Sequence, residues 1–116
     1  MARIRAAIAL GLFSLPTAVH AQSAGLWRVN GAISGRTFAL NCRIEQGGAC
    51  VDAAPGGKSK PLASLAASGN DLQWSFKTRV VLLSVTLAFH GRVQGGQMSG
   101  TVTAAGRNGT FTATRR

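Results

Sequence analysis

The chain has 116 residues and a formal net charge of +10, with 13 Lys and Arg against three acidic residues. That length holds one domain, and three carboxylates with two histidines leave little material for acid–base or metal chemistry. The charge points to anionic rather than basic partners.

Residues 1–21 read as a cleavable signal peptide. Met1 to Arg5 is short and positive, Ala6 to Val19 is apolar, and Val19-His20-Ala21 suits a signal peptidase cut. The apolar run includes Pro16 and falls short of the roughly 20 residues a membrane helix needs. Arg3 and Arg5 are not adjacent, so no twin-arginine signal is present, and no cysteine at the cut invites lipid attachment. The Ala/Arg-rich signal looks bacterial, so the expected location is the periplasm or the medium, with no membrane span after cleavage. The domain is then residues 22–116. Removing 21 residues with their two arginines leaves 95 residues at a formal charge of +8.

So small a domain gains from a covalent staple. Cys42 and Cys50 are the only cysteines, and in an exported chain they predict a disulfide. Closing so short a loop contributes about 2.5 kcal/mol in the chain-entropy model. A metal pair or a reactive thiol lacks partners, since there is no CxxC spacing and one histidine follows the cut.

Period-two alternation runs through the remainder, with no sustained helical period. Gly25 to Ile33 sets Trp27, Val29 and Ile33 on one face. Ser34-Gly35 turns the chain, and Thr37 to Glu45 points Phe38, Leu40, Cys42 and Ile44 inward. A turn at Gln46-Gly47-Gly48 places Cys42 opposite Cys50 as Ala49 to Ala53 returns. Pro55 to Pro61 is a loop, because its prolines and glycines sit poorly in a ladder. Leu62 to Ala67 is a weak strand, and Ser68 to Asp71 a turn. Leu72, Trp74 and Phe76 then alternate inward. The pattern slips around Thr78 to Val81 and resumes with Leu83, Val85, Leu87 and Phe89. The last two strands carry Met98, Gly100 and Val102, then Phe111 and Ala113, with Ala105 to Gly109 read as the turn between them and Asn108-Gly109 as its Asn-Gly signal.

Eight short strands joined by short turns predict an antiparallel up-and-down meander. Closing it into a small barrel protects both edges and the apolar face. A two-sheet β-sandwich with the same strand order is the rival architecture. In three places, at Gly35, Gly95 and Gly100, a glycine follows an inward apolar residue by two positions. These glycines are expected to bend the strands at barrel corners.

The run from Phe89 to Val102, followed by Gly109 to Arg115, resembles the C-terminal hairpins of small exported bacterial lipocalin-like barrels. Gly25-Leu26-Trp27 is similar to the Gly-x-Trp opening of lipocalin and avidin-like chains. In pattern the resemblance covers most of the chain after residue 21, and in letters it is strongest over residues 85–115. It implies a barrel that binds a small apolar ligand or a protein. No ligand-specific residue carries over, because the tryptophan-rich polar pocket of an avidin-like site is missing.

Catalysis finds no support. His90 alternates outward beside Arg92, and Glu45, Asp52 and Asp71 all fall at turns or near a loop. No nucleophile motif, phosphate loop or metal cluster is present. The expectation is a non-enzyme without cofactor or metal. Two binding readings remain. In one, a small apolar molecule or lipid enters a pocket lined by Trp27, Trp74, Phe76, Phe89 and Met98. In the other the core is solid, and loops with a basic rim of Lys58, Lys60, Lys77 and Arg79 meet an anionic envelope component or a protein. A secreted hydrolase, inhibited by the barrel, would be one such protein. Nucleic acid is excluded as a partner by the compartment and by aromatics that alternate inward.

Overall fold

The computed structural model describes residues 24–80 and 83–116, so the expected signal peptide and Val81 lie outside the described residues. Eight strands follow one another: β1 Gly25–Ile33, β2 Arg36–Ile44, β3 Ala49–Asp52, β4 Ser59–Ser68, β5 Asp71–Val80, β6 Leu83–Gln94, β7 Gln97–Ala104 and β8 Arg107–Arg115. Each pairs antiparallel with its neighbour in sequence, and β1 pairs with β8 to close a barrel. Closure disposes of the sandwich alternative. Among the described residues there is no helix, and hence none long and apolar enough to cross a membrane.

Alternation drives this wall. In β7, Met98 and Val102 are buried while Gln97, Ser99, Thr101 and Thr103 face solvent. Turn chemistry sets the register. Ser34-Gly35 and Ala105-Gly106 each hold two residues at positive φ, 52° then 80° and 52° then 78°. Those are type I′ turns, whose twist matches the flanking strands. The second of them takes up only the start of the expected Ala105–Gly109 turn, and the Asn108-Gly109 turn does not form. Asn108 and Gly109 lie within β8, opposite Thr103 and Val102. A side chain at Gly109 would collide with the Ala32 carbonyl of β1, so this glycine permits the close approach that seals the barrel.

The expected glycine bends are partly corrected. Gly35 and Gly95 belong to hairpin turns, at φ 80° and 62°, and do not bend a wall. Gly100 does lie in the wall, where a Cβ would strike the His90 carbonyl. Gly91 makes room of another kind: a Cβ there would come within 2.8 Å of both Met98 and Phe111.

Cys42 and Cys50 are register partners on β2 and β3 and form a disulfide. Such a bond suits an oxidising, extracytoplasmic compartment. β4 is longer than expected and carries a bulge: Leu62 pairs with Phe76 but Ser64 pairs with Ser75, leaving Ala63 as the extra residue. The bulge lets Leu62 and Leu65 both pack against the core despite their odd spacing.

The expected slip near Thr78 does not occur within the described residues. β5 runs on to Val80, which pairs with Leu83 of β6. Leu83, expected inside, is 71% exposed. Alternation does give it the inward parity of Val85 and Leu87. However, β4 pairs with β5 only as far as Leu62–Phe76, and β7 pairs with β6 only as far as Ala104–Leu87. Among the described residues, Lys77–Val80 and Leu83–Thr86 are paired only with each other. The end of the hairpin therefore stands beyond the wall, with no interior for Leu83 to enter.

Candidate functional site

The interior is occupied by packed rings. Trp74 stacks on Phe89 at 4.7 Å between centroids, and Phe111 meets both edge-on at 5.5 and 5.3 Å. Phe76 lies 6.0 Å from Phe89, and Phe38 reaches the same ring at 6.1 Å. Such offset and edge-to-face pairs add about 0.5–1.5 kcal/mol each beyond burial. The five residues expected to line a pocket, Trp27, Trp74, Phe76, Phe89 and Met98, are each no more than 2% exposed. Among the described residues the Trp74 indole N–H has no hydrogen-bond partner, an uncompensated polar group within an apolar cluster.

Antiparallel connectivity puts the two ends of the barrel in different hands. One mouth holds the start of β1, the end of β8 and the β2–β3, β4–β5 and β6–β7 turns. Its charges are engaged. Arg43 pairs with Glu45 at 3.0 Å, and Arg92 lies 3.5 Å from Asp71. The Arg115 guanidinium sits 4.6 Å over the Trp27 ring and donates to the Ala24 carbonyl at 2.6 Å. Arg116 donates to Asn41 Oδ1 at 2.9 Å.

The other mouth holds the β1–β2 and β7–β8 turns, the β3–β4 loop and the projecting end of the β5–β6 hairpin. A cleft of about 580 Å³ opens there, lined among others by Lys58, Lys60, Lys77 and Arg79. The four cations of the expected basic rim thus come together from the loop, the start of β4 and the end of β5. The reason is local. β4 bears against β3 through Lys60–Cys50 and Val51–Ser59 and turns to β5 only from Leu62 onward, so the two strands part at this mouth. The Pro55-Gly56-Gly57 loop folds back over β3, with Gly57 so close to Asp52 that a Cβ would approach the Asp52 Cβ within 2.9 Å.

Asp52 is the only carboxylate lining this cleft. The chain's other two acids form the ion pairs at the opposite mouth. Among the described residues, Lys77 and Arg79 form no side-chain hydrogen bond or ion pair. Lys60 donates to the Lys58 carbonyl at 3.3 Å, which holds the two lysines on one side. Unmatched cations in a concave site raise the local potential and draw counter-ions in. Sequence reasoning missed the other polar liners, Asp52, Ser59, Thr78 and Ser84, because each reads there as an ordinary loop or strand residue.

For catalysis the cleft offers one carboxylate, hydroxyls and no histidine. His90 is exposed on the outer wall. Among the described residues no group of three or more His, Cys, Asp or Glu gathers to hold a metal. Comparison with protein-family models, with curated proteins and with solved structures finds no match.

Proposed function

We propose that the protein is an exported, non-enzymatic, lipocalin-like barrel that binds an anionic partner through its basic mouth. The supporting observation is the convergence of Lys58, Lys60, Lys77 and Arg79 on one cleft with Asp52 as its sole carboxylate. An apolar ligand in the interior would have to displace the Trp74–Phe89 stack and its neighbours, which are already closed from solvent. The reading therefore moves recognition from the inside of the barrel to its rim.

Binding of fluorescent dextran sulfate tests it. The unmodified protein binds saturably, and affinity falls as salt is raised. Changing Lys58, Lys60, Lys77 and Arg79 together to Gln weakens binding by about tenfold or more. Removing the same charge at the other mouth, from Arg43, Arg92, Arg115 and Arg116, has a much smaller effect. Equal losses from the two variants would reduce the effect to net charge and sink the proposal.

A further inference from the structure

We infer that the basic cleft is a slit in the barrel wall that takes up an extended acidic peptide. The peptide adds as a strand to the free edge of β5 at Lys77, Thr78 and Arg79, with its carboxylates against the cations of the cleft. The inference rests on the basic mouth being the binding face and names the class of partner that face takes.

The slit follows from the register. Ser59, Lys60 and Pro61 of β4 pair with Val51, Cys50 and Ala49 of β3, whereas pairing with β5 begins only at Leu62–Phe76. Past that pair the two strands part. Among the described residues Lys77, Thr78 and Arg79 then pair on one side only, with Thr86, Val85 and Ser84 of β6. Alternate residues of such a strand turn their backbone N–H and C=O groups toward the open side.

The liners show that the cleft meets this edge. Successive strand residues point to opposite faces, so a pocket lying on one face of a sheet draws on alternate residues. Lys77, Thr78 and Arg79 all line this cleft, as do Ser59 and Lys60 across it. A cleft reached by consecutive residues of both strands views them edge-on. It is bordered by two strand edges that have come apart.

Charge selects what fills it. Basic side chains on a free edge ordinarily keep copies of a chain from pairing there. Four cations with Asp52 as the one carboxylate repel a second basic edge and attract an acidic one. Lys77 and Arg79 share a strand face, so carboxylates at every second residue of an added antiparallel strand stand across from both. A sulfated polysaccharide uses the cations and leaves the backbone edge idle. An extended acidic peptide uses both, with backbone bonds giving affinity and alternate side chains specificity.

Fluorescence anisotropy with a short labelled peptide of alternating glutamate and threonine tests the edge. The unmodified protein binds it saturably, and isotope-labelled peptide carbonyls move to a β-sheet infrared frequency on binding. Methylating alternate backbone nitrogens removes the donors of one peptide edge and leaves the charge unchanged. Because the glutamates face Lys77 and Arg79, only one peptide edge meets β5. Methylation of that edge weakens binding about tenfold or more, and methylation of the other edge leaves it unchanged. Lys77→Gln with Arg79→Gln weakens the peptide roughly tenfold, whereas Arg43→Gln with Arg92→Gln does not. Equal affinity of the two methylated isomers, or binding of dextran sulfate without the peptide, overturns strand addition and leaves the basic mouth standing. Failure to bind either probe overturns both.

Discussion

At the mouth that holds the start of β1 and the end of β8, Trp27, Ile44 and Leu72 are sealed, the disulfide ties β2 to β3, and both ion pairs are made. At the opposite mouth Ile33, Phe38, Leu62 and Leu87 are only partly buried against the core, and four cations line a cleft with one carboxylate. The same eight strands build both ends. The difference comes from where pairing stops: β3 is only four residues long, and β5 and β6 outrun their neighbours. The disulfide and the ion pairs lie at one end, and the unmatched cations at the other.

Large-to-small substitutions separate the halves most strongly. Trp27→Ala at the sealed end is expected to cost about 3–5 kcal/mol, because a fully buried indole leaves a cavity the wall cannot fill. Leu87→Ala at the open end is expected to cost roughly half as much, since the site is already partly hydrated. Urea unfolding monitored by circular dichroism gives both values. Equal costs would mean that the open mouth is as well packed as the closed one.

The disulfide belongs to the sealed half and comes next in size. Replacing Cys42 and Cys50 together by Ala is expected to lower stability by about 2–2.5 kcal/mol while leaving dextran sulfate binding intact. A fall in binding alongside stability would show that the two mouths are coupled. Mass measurement under non-reducing conditions shows the loss of two hydrogens in the unmodified protein.

Much of this division was legible in the residues. Alternation identified most of the inward set, and the spacing of Cys42 and Cys50 about a Gly-Gly turn gave their pairing across the β2–β3 hairpin. The four cations were recognisable as loop and strand-end residues. That they meet in one cleft depends on the divergence of β4 from β5, a long-range property that no local pattern encodes. Leu83 was misplaced for a related reason: alternation gives the parity of a side chain, and whether that parity meets an interior depends on the length of the neighbouring strands. Asn108-Gly109 misled because, within the expected Ala105–Gly109 turn, the strongest local signal lost to Ala105-Gly106, the choice that leaves a glycine against the Ala32 carbonyl of β1.

The smallest effect tests whether the charges at the two mouths differ in kind. Glu45→Gln and Asp71→Asn each remove an ion pair, but their partners are largely solvated; the Arg43–Glu45 side chains, for example, are 48% and 50% exposed. Exposed pairs contribute about 0.2–1 kcal/mol and are screened by salt, so each variant should lose no more than about 0.5 kcal/mol. Neutralising Lys58, Lys60, Lys77 and Arg79 removes like charges that face one another across a cleft, so stability should hold or rise by a few tenths of a kcal/mol. The signs are opposite, and both differences shrink as salt is added. Thermal unfolding at low and high ionic strength therefore distinguishes charges that stabilise the fold from charges held apart at its expense. If neutralising the four cations destabilises the barrel, they serve the structure, and the case for a binding mouth loses its energetic basis.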